Sequence, residues 1–421
     1  MRNVLLLLLI SFQSFGQIPE KTYMPRIQSP QLHVYGNQVA YPIIKLNGAD
    51  RLELHFDDLD ANVKNYSYTF QLCNADWTPV MLSQFDYIRG FSQQRISNYR
   101  VSTLAYTRYT HYQAILPDRN CMPSRSGNYI LKVFLDGDTA KLAFTKRMLV
   151  YEDKAVIAAQ VQQPFNTRYF RSHQKIQLKV NTKNFDVVNA HQQVKVAILQ
   201  NDRWDNAVTN IKPTFMTNNQ LEYNTEEDAV FPAGKEWRWL DLRSFRLQSD
   251  RVLKANYTDK STEIFVKPDF TRRSQQINFY RDINGHYYIE PTESINPFWQ
   301  SDYATVRFTY VPSGNIPFPD KDVYLVGQLT NYGAADSSLM RFNAEKGVYE
   351  TSLFLKQGYY DYSYVTKERN NKAISFEETE GNYWESENEY TILVYYRSLG
   401  GRADELVGIA KINSLTGRPG F

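Results

Sequence analysis

Leu52, Leu54 and Phe56 alternate with Glu53 and His55, and Tyr66, Tyr68, Phe70 and Leu72 alternate with Ser67, Thr69 and Gln71. Successive side chains on a strand point to opposite faces, so this period-two pattern predicts strands with one buried face. Residues 129–135 and 141–151 flank Asp136-Gly137-Asp138, whose residue types accept positive φ and predict a hairpin. Further strands are expected at 156–161, 175–180, 194–200 and 263–266. Asn284-Gly285 is a type I′ turn signal between 277–280 and 287–289. Residues 323–327 read as a buried strand, 348–355 and 359–365 as a hairpin around Gln357-Gly358, and 405–412 as an edge strand. Helical periodicity is weak, and Trp237, Trp239, Leu242 and Phe245 do not decide between helix and strand. The pattern predicts an all-β protein of three consecutive β-sandwich domains at 17–153, 154–267 and 268–421.

The start of the chain adds a compartment. Arg2, an apolar run from Leu5 to Phe12 and Ser14-Phe15-Gly16 read as a signal peptide over 1–16, too short to span a bilayer. Gln17, not cysteine, follows the expected cut, which is not the lipoprotein pattern. The expected mature protein is exported, with no segment for direct membrane insertion. With 48 basic and 45 acidic residues, the charge gives no electrostatic reason to expect nucleic acid. Cys73 and Cys121 are the only cysteines, in a compartment that permits a disulfide between them. The other reading of Cys73 is a small buried hydrophobe ending a strand.

Candidate chemistry is sparse. His33, His55, His111, His173, His191 and His286 show no zinc-site spacing, neither cysteine lies in a Cys-x-x-Cys pair, and no cofactor is expected. Asp57-Asp58-Leu59-Asp60 lacks the glycine and terminal glutamate of an EF-hand loop and reads as a solvated strand end. Glu377-Glu378-Thr379-Glu380 are neighbours on one stretch, which rarely supplies the separation of about 5–9.5 Å that paired catalytic carboxylates need. The chain is therefore read as no enzyme. Its 31 tyrosines suit both sandwich cores and wet interfaces. The polar, aromatic stretch from Glu380 to Tyr390 leads into residues 391–397, whose tyrosines are candidates to face a partner. Trp77 and Tyr87 near the start, with Tyr383 and Trp384 near the end, are the candidate contact residues; Trp77 also reads as an indole buried behind a strand cap.

Two resemblances sharpen the expectation. Val323-Tyr324-Leu325-Val326-Gly327-Gln328-Leu329-Thr330-Asn331-Tyr332, with Met340 and Gly358-Tyr359-Tyr360-Asp361-Tyr362-Ser363-Tyr364, resembles the early-set, immunoglobulin-like β-sandwiches that include glycogen-binding modules. That implies a carbohydrate-binding alternative with Tyr332 at the sugar platform. Over the whole chain, Leu54-His55-Phe56-Asp57-Asp58-Leu59-Asp60, residues 66–77, Tyr109-Thr110-His111-Tyr112, Ser126-Gly127-Asn128-Tyr129 and Val394-Tyr395-Tyr396-Arg397 resemble the plug protein family of the type IX secretion system of Bacteroidota. The resemblance implies a non-enzymatic periplasmic protein at the inner face of the outer membrane. It would close the translocon β-barrel, its expected partner, alongside other translocon subunits.

Overall fold

The computed structural model describes residues 20–418, apart from 210, 218, 276–278 and 371–372. The signal-peptide reading of 1–16, and half of the strand expected at 277–280, lie outside the described residues. The architecture is all-β, with two four-residue α-helices, Ala190–Gln193 and Pro297–Gln300, among the described residues. No helix there is long and apolar enough to cross a membrane.

The alternating segments form strands Leu52–Asp58 and Tyr66–Cys73 and lie in two facing sheets. One sheet runs Ile27–Val34, Leu52–Asp58, Thr110–Leu116, Asn98–Val101. The other is centred on Leu142–Tyr151, Gly127–Leu135 and Tyr66–Cys73. Phe56 meets Phe144 edge-on at 5.0 Å across the core between them.

A second sandwich is closed by strands far apart in sequence. Val156–Gln162 and His173–Asn181 lie in one sheet. Facing it are Arg203–Thr209, Val194–Gln200, Glu389–Tyr396 and Glu405–Asn413, in that order. Ile392, Val394 and Val407 share its core with Ile176 and Val196.

The third assembly has eleven strands among the described residues. Its main path runs Arg238–Asp241, Tyr359–Glu368, Lys321–Val326, Leu339–Asn343, Val348–Lys356, Tyr303–Val311, Thr262–Val266, Val252–Tyr257. The path folds back over one core: Phe308 and Tyr362, on strands that are not neighbours, meet edge-on at 5.1 Å.

The consecutive boundaries at 154–267 and 268–421 therefore do not follow how the sheets assemble. Strands from Arg238 to Val266 pair into the third assembly, and Glu389–Asn413 returns to the second. Alternation reports that a strand has an apolar face; it carries no record of which sheet that face completes.

Asn284 and Gly285 adopt φ of 55° and 80°, as the turn signal required. The strand that follows, Tyr287–Tyr288, pairs with Tyr359 and Tyr360, and the other arm of the expected hairpin lies partly outside the described residues. A Cβ on Gly285 would lie 2.8 Å from the Trp237 ring. Gly285→Ala is expected to lower stability by about 1–3 kcal/mol through positive φ and overpacking, measured by urea unfolding.

Candidate functional site

The strand Leu52–Asp58 is buried on both faces, and its polar face is the most unusual place in the molecule. Leu54 and Phe56 enter the first core, while His55 and Asp57 point to the opposite side and are 4% and 1% exposed. The helix Pro297–Gln300 covers them, with the Phe298 ring stacked on His55 at 3.7 Å. Antiparallel register sets Asp57 opposite His111 and Glu53 opposite His33. Residues far apart in sequence thus share one sheet face.

A chain of polar contacts runs along this face into the third assembly. His111 Nδ1 lies 2.6 Å from Asp57 Oδ1, and His55 Nδ1 lies 3.1 Å from His111 Nε2. Burial lowers both imidazole pKa values, well below the ordinary range for His55, where His111, His33 and Lys356 add to the effect. Asp57 can only accept, so neutral His111 donates from Nδ1 and its bare Nε2 accepts the His55 Nδ1 proton. The Tyr303 hydroxyl and the Lys356 ammonium each lie 2.5 Å from Asp57 Oδ2. Burial pushes the Asp57 carboxyl up, yet Lys356 and His111 together hold it below its usual range. Asp57-Asp58 is therefore no solvated strand end: Asp58 is fully buried and accepts from Tyr66 and Lys64. The same seam is closed by the Tyr106 and Thr107 amides, which donate to Asp302 at 3.0 Å.

A second seam joins the first and second sandwiches. The Tyr395 hydroxyl donates to Asn128 Oδ1 at 2.7 Å, and Asp404 accepts from the Ala75 amide, Lys195 and Arg397. The third seam lies in the polar stretch before Tyr390. There Glu380, 1% exposed, accepts from both Arg238 and Arg272. Burial raises its pKa, but the two guanidinium groups bring it down to about 2.

These contacts relocate the residues expected to meet a partner. Tyr87 is 1% exposed and lies in the first core. Trp77 is half-buried, edge-on to Trp204 at 4.9 Å with the Arg147 guanidinium 5.0 Å from its ring. Tyr383 and Trp384 are half-buried under Lys235 and Arg418, at 4.5 and 4.7 Å from their rings. Tyr390 and Tyr395 are fully buried and face the chain's own interior, whereas Tyr396 is half-buried. Tyr332 is also engaged, edge-on to Trp237 at 5.9 Å with Arg203 5.5 Å from its ring, so it presents no open platform. Cys73 and Cys121 are buried free thiols, each with its pKa pushed up to about 12 by burial, and no disulfide joins them.

The exposed apolar side chains lie elsewhere. Met81, Phe85 and Phe91 are 87%, 80% and 67% exposed in one loop-rich stretch of the first sandwich. The sequence held no periodicity to mark them, because they sit outside the long strands. The three histidines of the seam were equally hidden, since only strand register brings 33, 55 and 111 together.

Interlocked β-sheets joined by buried polar seams define an all-β, sandwich-like protein in which Glu389–Asn413 returns to complete the second sandwich. A family model described as the type 9 secretion system plug protein 1st domain matches residues 27–152. A solved structure, a hypothetical protein from Parabacteroides merdae, is similar over 94% of this chain and 98% of its own, with 31% identity and a TM-score of 0.90. No curated protein matches the chain. The chain belongs to the type IX secretion system plug protein family, which gives it a role associated with that secretion machinery.

Proposed function

We propose that this protein is a non-enzymatic plug that binds the periplasmic opening of the type IX translocon barrel and closes it. The observation that carries this reading is the match of residues 27–152 to the first domain of the plug family. Two features of the molecule support it. A closure must hold its shape against a wide pore, and the buried seams tie the sheets into mutual contact. A seal also needs a contact with a dry centre, and methionine and aromatic side chains are enriched at such centres. Met81, Phe85 and Phe91 supply them within the matched domain. In this reading they are the contact residues, because Trp77, Tyr87, Tyr383 and Trp384 are engaged within the chain. The protein acts in the periplasm, against the inner face of the outer membrane, and the barrel supplies the membrane anchoring. The likeness to glycogen-binding modules supports no second reading, since Tyr332 is covered by Arg203 and Trp237.

The test is affinity purification of the full chain, tagged at its C-terminus, from gently solubilised envelopes. Near-equal recovery of a giant outer-membrane barrel is expected. Phe85→Ser combined with Phe91→Ser should cut that recovery at least about tenfold, the scale of interface hot spots, with Tm unchanged. Undiminished recovery would move the contact away from this loop. Absence of the barrel with the unaltered chain, while the translocon stays intact, would overturn the plug reading itself.

A further inference from the structure

One arrangement beside the first seam is not used by the closing role. His33 and Glu53 sit opposite each other on adjacent antiparallel strands, and His55 lies two residues along the same face. Each of the three offers a ligand atom within 4.8 Å of those of the other two. The imidazoles are 2% and 4% exposed, and the Nε2 atom of each has no hydrogen-bond partner. Their tautomers follow from the other ring nitrogen. His33 Nδ1 donates to the Val34 carbonyl at 2.9 Å, and His55 Nδ1 donates to His111. Both Nε2 atoms therefore carry a free lone pair. Buried polar atoms are rarely left without a partner, so two beside a carboxylate call for an occupant.

We propose that His33 Nε2, His55 Nε2 and the Glu53 carboxylate bind a divalent first-row transition-metal ion of the zinc class. Two neutral imidazoles and one carboxylate suit such an ion, whereas magnesium and calcium select oxygen ligands. Zinc bonds of about 2.0–2.2 Å set tetrahedral ligand atoms about 3.4 Å apart, so a 4.8 Å spread closes with shifts of about 1 Å. Glu53 can supply most of that shift: its side chain is 23% exposed, and its Oε2, 4.0 Å from His33 Nδ1, accepts from the Gly36 amide on the open side. A cleft of about 390 Å³, lined by Tyr35, Glu53, His55, Gln113 and Ile115 among others, gives the ion a route in and leaves a coordination position open. The support behind the ligands is in place. His33 is oriented by a backbone carbonyl, and His55 by the line His111–Asp57, an outer shell of the kind that fixes ring orientation at metal sites. Three protein ligands with an open position differ from a closed structural zinc site and admit water or an anionic side chain as the fourth ligand.

The test uses the untagged full chain, stripped with a chelator and titrated with Zn²⁺ by calorimetry and with Co²⁺ by visible absorption. One equivalent should bind, with the Co²⁺ spectrum of a low-coordinate site containing nitrogen ligands. Glu53→Gln and His33→Gln should each weaken binding at least about tenfold. His191→Gln, on an exposed residue far along the chain, should leave it unchanged. Glu53 is less buried than either histidine, so its variant remains informative where a histidine variant folds poorly. No saturable binding below millimolar metal, or binding indifferent to Glu53→Gln and His33→Gln alike, would overturn the proposal.

Discussion

Asp57→Ala is expected to destabilise the protein by about 3–5 kcal/mol, because it strands a buried cation rather than removing a surface pair. Lys356 is 1% exposed, and with Asp57 gone its ammonium keeps the Phe298 carbonyl as acceptor but no carboxylate in contact. The Tyr303 hydroxyl and His111 Nδ1 lose their carboxylate at the same time. Three donors are left facing one another in a site that burial has stripped of water. Lys356→Met should do less harm, since Asp57 then keeps His111 and Tyr303 and the methionine fills most of the vacated space. Urea unfolding followed by tryptophan fluorescence measures both. A loss under about 1 kcal/mol for Asp57→Ala would mean that water reaches this seam.

Glu380→Ala carries an effect of similar size, about 3–5 kcal/mol, by leaving Arg238 and Arg272 without a shared carboxylate. Arg238 retains Asp269 at 2.7 Å, so Arg272 is the more exposed to the loss. The same ion cluster makes a statement about acid. A Glu380 pKa of about 2, against an ordinary 4.5, favours the folded state while the group is ionised. That contribution is complete above pH 4.5 and is lost as pH falls toward 2. The difference corresponds to about 3 kcal/mol. The wild-type protein should therefore lose stability steeply below pH 4.5. Glu380→Gln should show a shallower slope over that range, and parallel slopes would place the acid sensitivity elsewhere.

Strands were easier to read than their partners. Leu52–Asp58, Tyr66–Cys73, Val194–Gln200 and Glu405–Asn413 lie where alternation or apolar runs put them. The Asp136-Gly137 turn joins its two strands as its residue types require, with φ of 56° and 69°. At Gln357-Gly358 the chain also turns, but Val348–Lys356 and Tyr359–Glu368 do not pair with each other. Gly358 is pressed against Tyr288, where a Cβ would lie in contact with the backbone oxygen, and the turn carries the chain between non-neighbouring strands of the same folded sheet. Turn chemistry sets local φ and ψ; the partner of the next strand is chosen by tertiary packing. The polar faces were misjudged for a related reason. His55 and Asp57 look solvent-facing by period two, and nothing local announces that Phe298 and Lys356 will cover them. Aromatic loop residues read as partner contacts, but an exposed ring and a ring gripped by arginine or lysine share the same sequence signature.

Glu389–Tyr396 has a temporal meaning as well as a spatial one. It is an inner strand of its sheet, flanked by Val194–Gln200 and Glu405–Asn413, and it carries Ile392 and Val394 into the middle core. A chain emerging from its amino end can assemble the first sandwich early, but the second stays open along one whole flank until nearly two hundred further residues have arrived. Loss of the last strands would thus remove the interior of a sheet and leave a long unpaired edge, the form of damage that invites proteolysis or aggregation. The second sandwich is finished only once Glu389–Asn413 has been made, so a copy stalled or clipped before that segment is a poorly folded one.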